Sequence, residues 1–247
     1  MVAFAIMPKR LLLVSTSTTY GAEYLDHCAE EIQDLLGTAV RRVLFVPWAL
    51  HDLEEYEEKA RGRYERMGYE IASVHRSDDP AAAVRSAEAV FIGGGNTFRL
   101  LERLYRHGLL EPIRERVAAG MPYVGSSAGS NVACRTIKTT NDMPIVEPPS
   151  FEALGLIPFN INPHYLDPDP DSRHMGETRE ERILQFHEEN DNTVVGLREG
   201  AMLRIEGSRV ILKGSTGARV FVRGQEPREH RPGDRLDFLL DGADPLT

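Results

Sequence analysis

Five short apolar runs recur through the first half of the chain: Leu11–Val14, Val43–Val46, Ile71–Val74, Ala89–Ile92 and Tyr123–Val124. A run that is apolar at nearly every position, rather than at every second one, has no solvent-facing side and must be covered on both. The segments between them, Ala22–Leu36, Leu53–Met67, Pro80–Ala87 and Phe98–Ala119, carry helical spacing, and the last breaks around Gly108 into two helices. Strands alternating with helices predict an α/β fold, a mostly parallel sheet with helices on both faces. In such sheets a ligand sits beyond the carboxyl ends of the strands. From Thr193 onward the pattern changes. Thr193–Leu197, Ala201–Ile205, Val210–Leu212 and Arg219–Val222 are short runs separated by glycine turns, and they predict antiparallel strands closing one side of the same domain. No linker, repeat or low-complexity segment divides the 247 residues, so one domain over 1–247 is expected.

The formal net charge of −9 argues against a nucleic-acid partner, because phosphate binding needs a basic surface. It also argues against a polybasic membrane contact. An acidic ligand would need a local group of arginines. Two cysteines, Cys28 and Cys134, are too few for a disulfide framework and point to a reducing compartment, the cytoplasm. At the N-terminus the charges of Lys9 and Arg10 follow the apolar run, the reverse of a signal peptide. No apolar stretch approaches the ~20 residues needed to span a bilayer.

Gly125-Ser126-Ser127-Ala128-Gly129 fits Gly-x-Ser-x-Gly, directly after an apolar strand and before a helix start. A serine on a tight strand-to-helix turn needs small neighbours, and the turn presents its hydroxyl at the carboxyl edge of the sheet. The N–H of Ala128 would then face a developing oxyanion. The bland alternative is a glycine-rich turn with a capping serine. A second glycine turn, Gly93-Gly94-Gly95-Asn96-Thr97, follows the strand Ala89–Ile92. It is neither a dinucleotide fingerprint, since Phe98 stands where the third glycine belongs, nor a P-loop. It supplies either a second oxyanion donor or a helix N-terminus open to an anion.

Of the eight histidines, His27, His75, His107, His187 and His230 lie in polar stretches and are expected at the surface, while His51 and His174 sit in featureless loops. His164 ends Asn160-Ile161-Asn162-Pro163-His164, a short strand, where a base for Ser127 would stand. Either Glu199, in a turn after another strand, or Asp142 could orient it. No metal is expected. His187-Glu188-Glu189 lacks the second histidine of a zinc helix, and Asp167, Asp169 and Asp171 lack the glycine and glutamate of a calcium loop. Cys134 is expected to pack in the helix after the elbow.

Taken together, six ordered segments resemble the aspartyl dipeptidase (peptidase E) family of serine peptidases. They are Gly93–Phe98, Gly125–Asn131, Thr139–Val146, Ile161–His164, Gly176–Glu180 and Gly196–Gly200, and the similarity runs from about Leu11 to Val222. The resemblance implies a flavodoxin-like fold related to class I glutamine amidotransferases, and hydrolysis of dipeptides with N-terminal aspartate without a cofactor. It implies Ser127 as nucleophile, His164 as base and Glu199 as third triad member. Asp142 matches an essential aspartate sometimes given that third role; a contact with the substrate amine, or support of the loop, is the expectation here. Gly95 and Ala128 match the oxyanion donors, and Arg179 falls where an arginine holds the substrate carboxylate. Ser126 departs from the tryptophan of the family pattern, which bears on pocket shape, and the loop Asp167–Met175 is unusually acidic. Rival readings are a related serine hydrolase of different specificity, cyanophycinase-like, or a non-catalytic module holding an anion at Gly93–Thr97. The expected partner is an Asp-X dipeptide, on a monomer or homodimer.

Overall fold

The computed structural model describes residues 8–169, 171, 173 and 175–241. The N-terminal residues 1–7 and His174, both read above, lie outside the described residues.

Five strands form the parallel part of a seven-stranded sheet: β1 (Arg10–Val14), β2 (Arg42–Val46), β3 (Glu70–Ser73), β4 (Ala89–Ile92) and β5 (Tyr123–Ser126). Between them run α1 (Ala29–Leu36), α2 (Leu53–Arg66), α3 (Pro80–Ser86), α4 (Thr97–Arg106) and α5 (Leu110–Ala118), and α6 (Ala128–Ala133) follows β5. The chain then builds β6 (Asn160–Tyr165), α7 (Arg179–Glu189), β7 (Val194–Arg198), β8 (Ala201–Glu206), β9 (Arg209–Gly214), β10 (Ala218–Phe221) and β11 (Arg228–His230), and ends in the short α8 (Phe238–Asp241). The large sheet has the order β3-β2-β4-β5-β1-β8-β9.

Each strand sends alternate side chains to opposite faces, so one apolar run serves two cores. Leu11, Leu13, Val90 and Ile92 pack with α4 and α5 through Leu100, Leu104 and Ile113. Leu12, Val14, Phe45 and Phe91 pack with α1 and α2 through Ile32, Leu35, Ala60 and Tyr64. Helix starts carry the expected caps. Asp52, Asp79 and Asn96 each accept a backbone N–H three residues on, and Thr178 with Glu181 forms a full capping box.

Three boundaries differ from the sequence reading. The helix expected from Ala22 begins at Ala29, after a 3-10 turn at Asp26–Cys28, because the Leu25 N–H turns back to the Ser17 carbonyl. That detour leaves Tyr24 beside the carboxyl edge. The third strand stops at Ser73, and Val74 opens a 3-10 turn. The C-terminal strands do not form one antiparallel flank. β8 extends the large sheet antiparallel to β1 and β9 pairs antiparallel with β8, whereas β7 joins a second sheet, β11-β10-β7-β6, where it runs antiparallel to β10 and parallel to β6. Residues Glu199 and Gly200 are the link between the sheets. One core continues through both, since Ile161, Val195, Leu197 and Val220 pack with Leu11, Leu203 and Ile205.

Candidate active site

Ser127 stands between β5 and α6 with φ 51° and ψ −107°, outside the usual regions for an L-residue. Such a conformation costs on the order of 1–3 kcal/mol and persists only where its surroundings enforce it. Here the Ser127 N–H bonds the Val14 carbonyl (3.0 Å), and the Ser127 carbonyl accepts from Ser130 and Asn131. Gly129 is required by close approach, because a Cβ there would lie 2.1 Å from the Ile92 carbonyl oxygen. The elbow thus rests on both neighbouring strands of β5.

His164 also has positive φ, 53°, at a break in the β6–β7 register between Pro163 and Tyr165. A bulge re-aims the side chain it carries. The imidazole Nε2 lies 2.9 Å from Ser127 Oγ, and Nδ1 lies 2.8 Å from Glu199 Oε1. With Nδ1–H donating to Glu199, Nε2 is left to accept the serine proton. Glu199 is presented by the link between the two sheets, and its carbonyl accepts from Thr216 (2.6 Å). A residue absent from the sequence reading, Ser15, binds this arrangement from below. Its Oγ accepts the His164 N–H and donates to the Leu197 carbonyl. A serine just past an apolar strand carries no signal of that role.

Asp142 is placed elsewhere. Its Oδ2 accepts from the Thr97 N–H (2.7 Å), Thr97 Oγ1 (2.6 Å) and Thr140 Oγ1 (3.2 Å), at the N-terminus of α4. It still lines the cleft with Ser127 and His164. The two polar motifs around it hold each other: Asn141 donates to the Pro163 carbonyl and Asn162 to the Asn141 side chain and the Thr139 carbonyl.

Gly95 has φ 133°, and a Cβ there would lie 2.7 Å from the Ala49 carbonyl, so the turn requires glycine. Gly95 lines the same cleft as Ser127, Ala128 follows Ser127 in the chain, and neither N–H has an acceptor among the described residues. Arg179 opens α7 and lines a separate depression with Leu166, Asp169, Glu177 and Arg182, not the cleft that holds Ser127. Burial and the neighbouring Arg182 lower its pKa from the usual guanidinium value. Asp167 does not project into solvent as a free charge. Arg198 grips both its oxygens (2.6 and 2.7 Å) and holds its pKa below the usual carboxylate range. Ser126 is buried and does not line the cleft.

Several histidines expected at the surface face inward. His187 is buried and bonds the Asn192 carbonyl. His27 has both ring nitrogens buried, and burial lowers its pKa. His75 bonds Ser73 and Glu54. With Glu54 and Glu57 it makes the group of possible metal ligands found among the described residues. Arg61 and Arg76 pair with those carboxylates, which makes the group an ion-pair network. Polar flanking sequence hid these histidines because helix and turn ends can bury a ring while their neighbours stay solvated. Cys134 caps the end of α6, and its sulfur accepts the Ile161 N–H (3.2 Å).

The model of Peptidase family S51 matches residues 11–213. Peptidase E of Streptomyces coelicolor is 54% identical over 94% of this chain and 95% of its own. A Drosophila melanogaster protein described as a probable alpha-aspartyl dipeptidase is 50% identical over 94% of this chain and 98% of its own. The crystal structure of a peptidase from an acI-B1 Actinobacterium superposes with a TM-score of 0.72, at 20% identity, over 93% of this chain and 97% of that one. The family model spans both glycine turns, His164 and Glu199, and the chain belongs to peptidase family S51.

Proposed function

We propose that the protein is a serine dipeptidase that hydrolyses dipeptides with N-terminal aspartate, through an acyl-enzyme on Ser127. The observation that carries this reading is the continuous chain Ser127 Oγ–His164 Nε2–Glu199, with contacts of 2.9 and 2.8 Å, opening on one cleft. In this reading His164 takes the Ser127 proton as Oγ attacks the scissile carbonyl. The N–H groups of Gly95 and Ala128 receive the oxyanion, and each such donor typically contributes about 10²–10³ in rate. His164 then protonates the leaving amine, and water attacks the acyl-enzyme by the same base. The steps need no cofactor.

Glu199 fixes the imidazole tautomer and balances the imidazolium that forms. Asp142 uses Oδ2 to hold the loop, and its Oδ1 is left to meet the substrate's α-amino group. Arg179 is assigned to the aspartate side chain on the family resemblance, from the separate depression that it lines with Leu166 and Asp169. The description of the Drosophila relative as a probable alpha-aspartyl dipeptidase agrees with this specificity. No helix among the described residues is long and apolar enough to cross a membrane. Two free, buried thiols fit a reducing compartment, the cytoplasm. Release of leucine from Asp-Leu by the purified protein is the test. Absence of turnover on Asp-Leu, with the protein folded, would remove the reading.

A further inference from the structure

The cleft at Ser127 has a volume of about 670 Å³, and its lining is charged unevenly. Asp52, Glu55 and Asp142 contribute carboxylates, and Lys59 is the one lysine or arginine on its wall among the described residues. Among the described residues no carboxylate lies within salt-bridge distance of Lys59; its Nζ instead stands 4.8 Å from the ring centroid of Tyr24. A cation over a tyrosine face is held in place without being neutralised. Tyr24 is itself fixed, packing edge-on to Tyr56 with the two hydroxyls 3.4 Å apart.

Topology places this ammonium opposite Asp142. Asp142 is bound to the N-terminus of α4, whose apolar side packs on one face of the sheet. Lys59 comes from α2, which packs on the other face. Ser127 stands at the carboxyl edge between them, so the scissile bond would have the Asp142 carboxylate on one side and, on the other, the ammonium of Lys59 beyond the Asp52 and Glu55 carboxylates at the N-terminal end of α2. A free dipeptide is a zwitterion with the complementary arrangement. Its amine and its terminal carboxylate flank a single peptide bond.

We propose that Lys59 is a specificity-determining residue that receives the C-terminal carboxylate of the substrate, and so restricts the enzyme to dipeptides. The assignment rests on the dipeptidase reading above. It divides the two carboxylates of an Asp-X dipeptide between two cations: the terminal one goes to Lys59 and the side chain to Arg179. A tripeptide or an amidated dipeptide lacks a carboxylate at that distance from the scissile bond, and would leave the lysine in the cleft without its partner.

The test compares kcat/KM for Asp-Leu, Asp-Leu amide and Asn-Leu in the wild type and in Lys59→Met and Lys59→Arg. The wild type is expected to prefer Asp-Leu over its amide by about tenfold or more, the range for a charge-assisted contact. Lys59→Met should collapse that preference towards one through a higher KM for Asp-Leu, and Lys59→Arg should retain most of it. The Asp-Leu to Asn-Leu ratio should stay near the wild-type value in both variants. Equal cleavage of the amide by the wild type, or an intact preference in Lys59→Met, would overturn the assignment. A collapse of the Asp-to-Asn ratio would overturn it too, by giving Lys59 the side chain instead. No turnover of Asp-Leu by the wild type would remove the dipeptidase reading itself, a result distinct from cleavage without preference.

Discussion

Ser15 Oγ accepts the backbone N–H of His164 at 3.0 Å, across 149 positions of sequence, and donates to the Leu197 carbonyl at 2.7 Å. One buried hydroxyl thus ties the carboxyl end of β1 to β6 and β7, and fixes the height of the imidazole above the elbow. Ser15→Ala strands a donor and an acceptor, each worth roughly 1–3 kcal/mol when buried without a partner. The expected result is a lower midpoint in urea unfolding, together with a kcat about ten- to a hundredfold lower at little change in KM. Misplacement of a catalytic group has that effect, and a merely structural loss would not.

Ser127→Ala and His164→Ala are each expected to reduce Asp-Leu turnover by at least about 10³-fold while circular dichroism stays native. Because the two act as one unit, the double variant should be little worse than either alone. Additive losses in the double variant would show that they do not share a proton.

Glu199 and Asp142 should separate kinetically. Glu199→Gln removes the charge facing Nδ1 and is expected to lower kcat by about 10² or more, whatever the substrate's amine carries. Asp142→Asn should raise KM for free dipeptides and narrow the gap between Asp-Leu and its Nα-acetyl form. A large kcat loss in Asp142→Asn, with Glu199→Gln near normal, would exchange the roles.

Arg179 tests side-chain recognition. Asparagine is nearly the size of aspartate, so the distinction must come from charge. One charge-assisted contact gives roughly ten- to a hundredfold. Arg179→Ala should shrink the Asp-Leu to Asn-Leu ratio by that factor, and Arg179→Lys should restore it only in part, because an ammonium cannot form the bidentate grip. An unchanged ratio would move the assignment to Arg173 or Arg182.

Burial pushes the thiols of Cys28 and Cys134 up to about 12. Neither should react with a thiol reagent at pH 8 in the native protein, and both should react after denaturation. The linkage has a definite sign. The unfolded thiols lose protons from about pH 8.5 while the folded ones keep theirs, so this contribution to stability is complete below that pH and is lost as pH rises towards 12. Chemical denaturation at pH 7 and pH 10 measures it, and Cys134→Ala should flatten the dependence.

What was legible in the sequence follows from local physics. Uninterrupted apolar runs such as Leu11–Val14 and Ala89–Ile92 can only be buried strands, and small residues around Ser127 leave room only for a tight turn. The family segments pointed in the same way to the residues at the cleft. Pairing across long separations was not legible. Thr193–Leu197 reads as an antiparallel strand and is one against β10, yet its other edge lies parallel to β6, because a strand's pattern records its buried face and not the direction of its partner. The sequence left the histidine's carboxylate open between Glu199 and Asp142, since both sit in polar turns. The tertiary structure places Glu199 2.8 Å from the ring and commits Asp142 to Thr97 and Thr140. Ser15, Tyr24 and Lys59 carry no motif at all. Their positions around Ser127 arise only when the carboxyl ends of β1, β2, β4 and β5 are brought to one edge, where side chains distant in sequence meet.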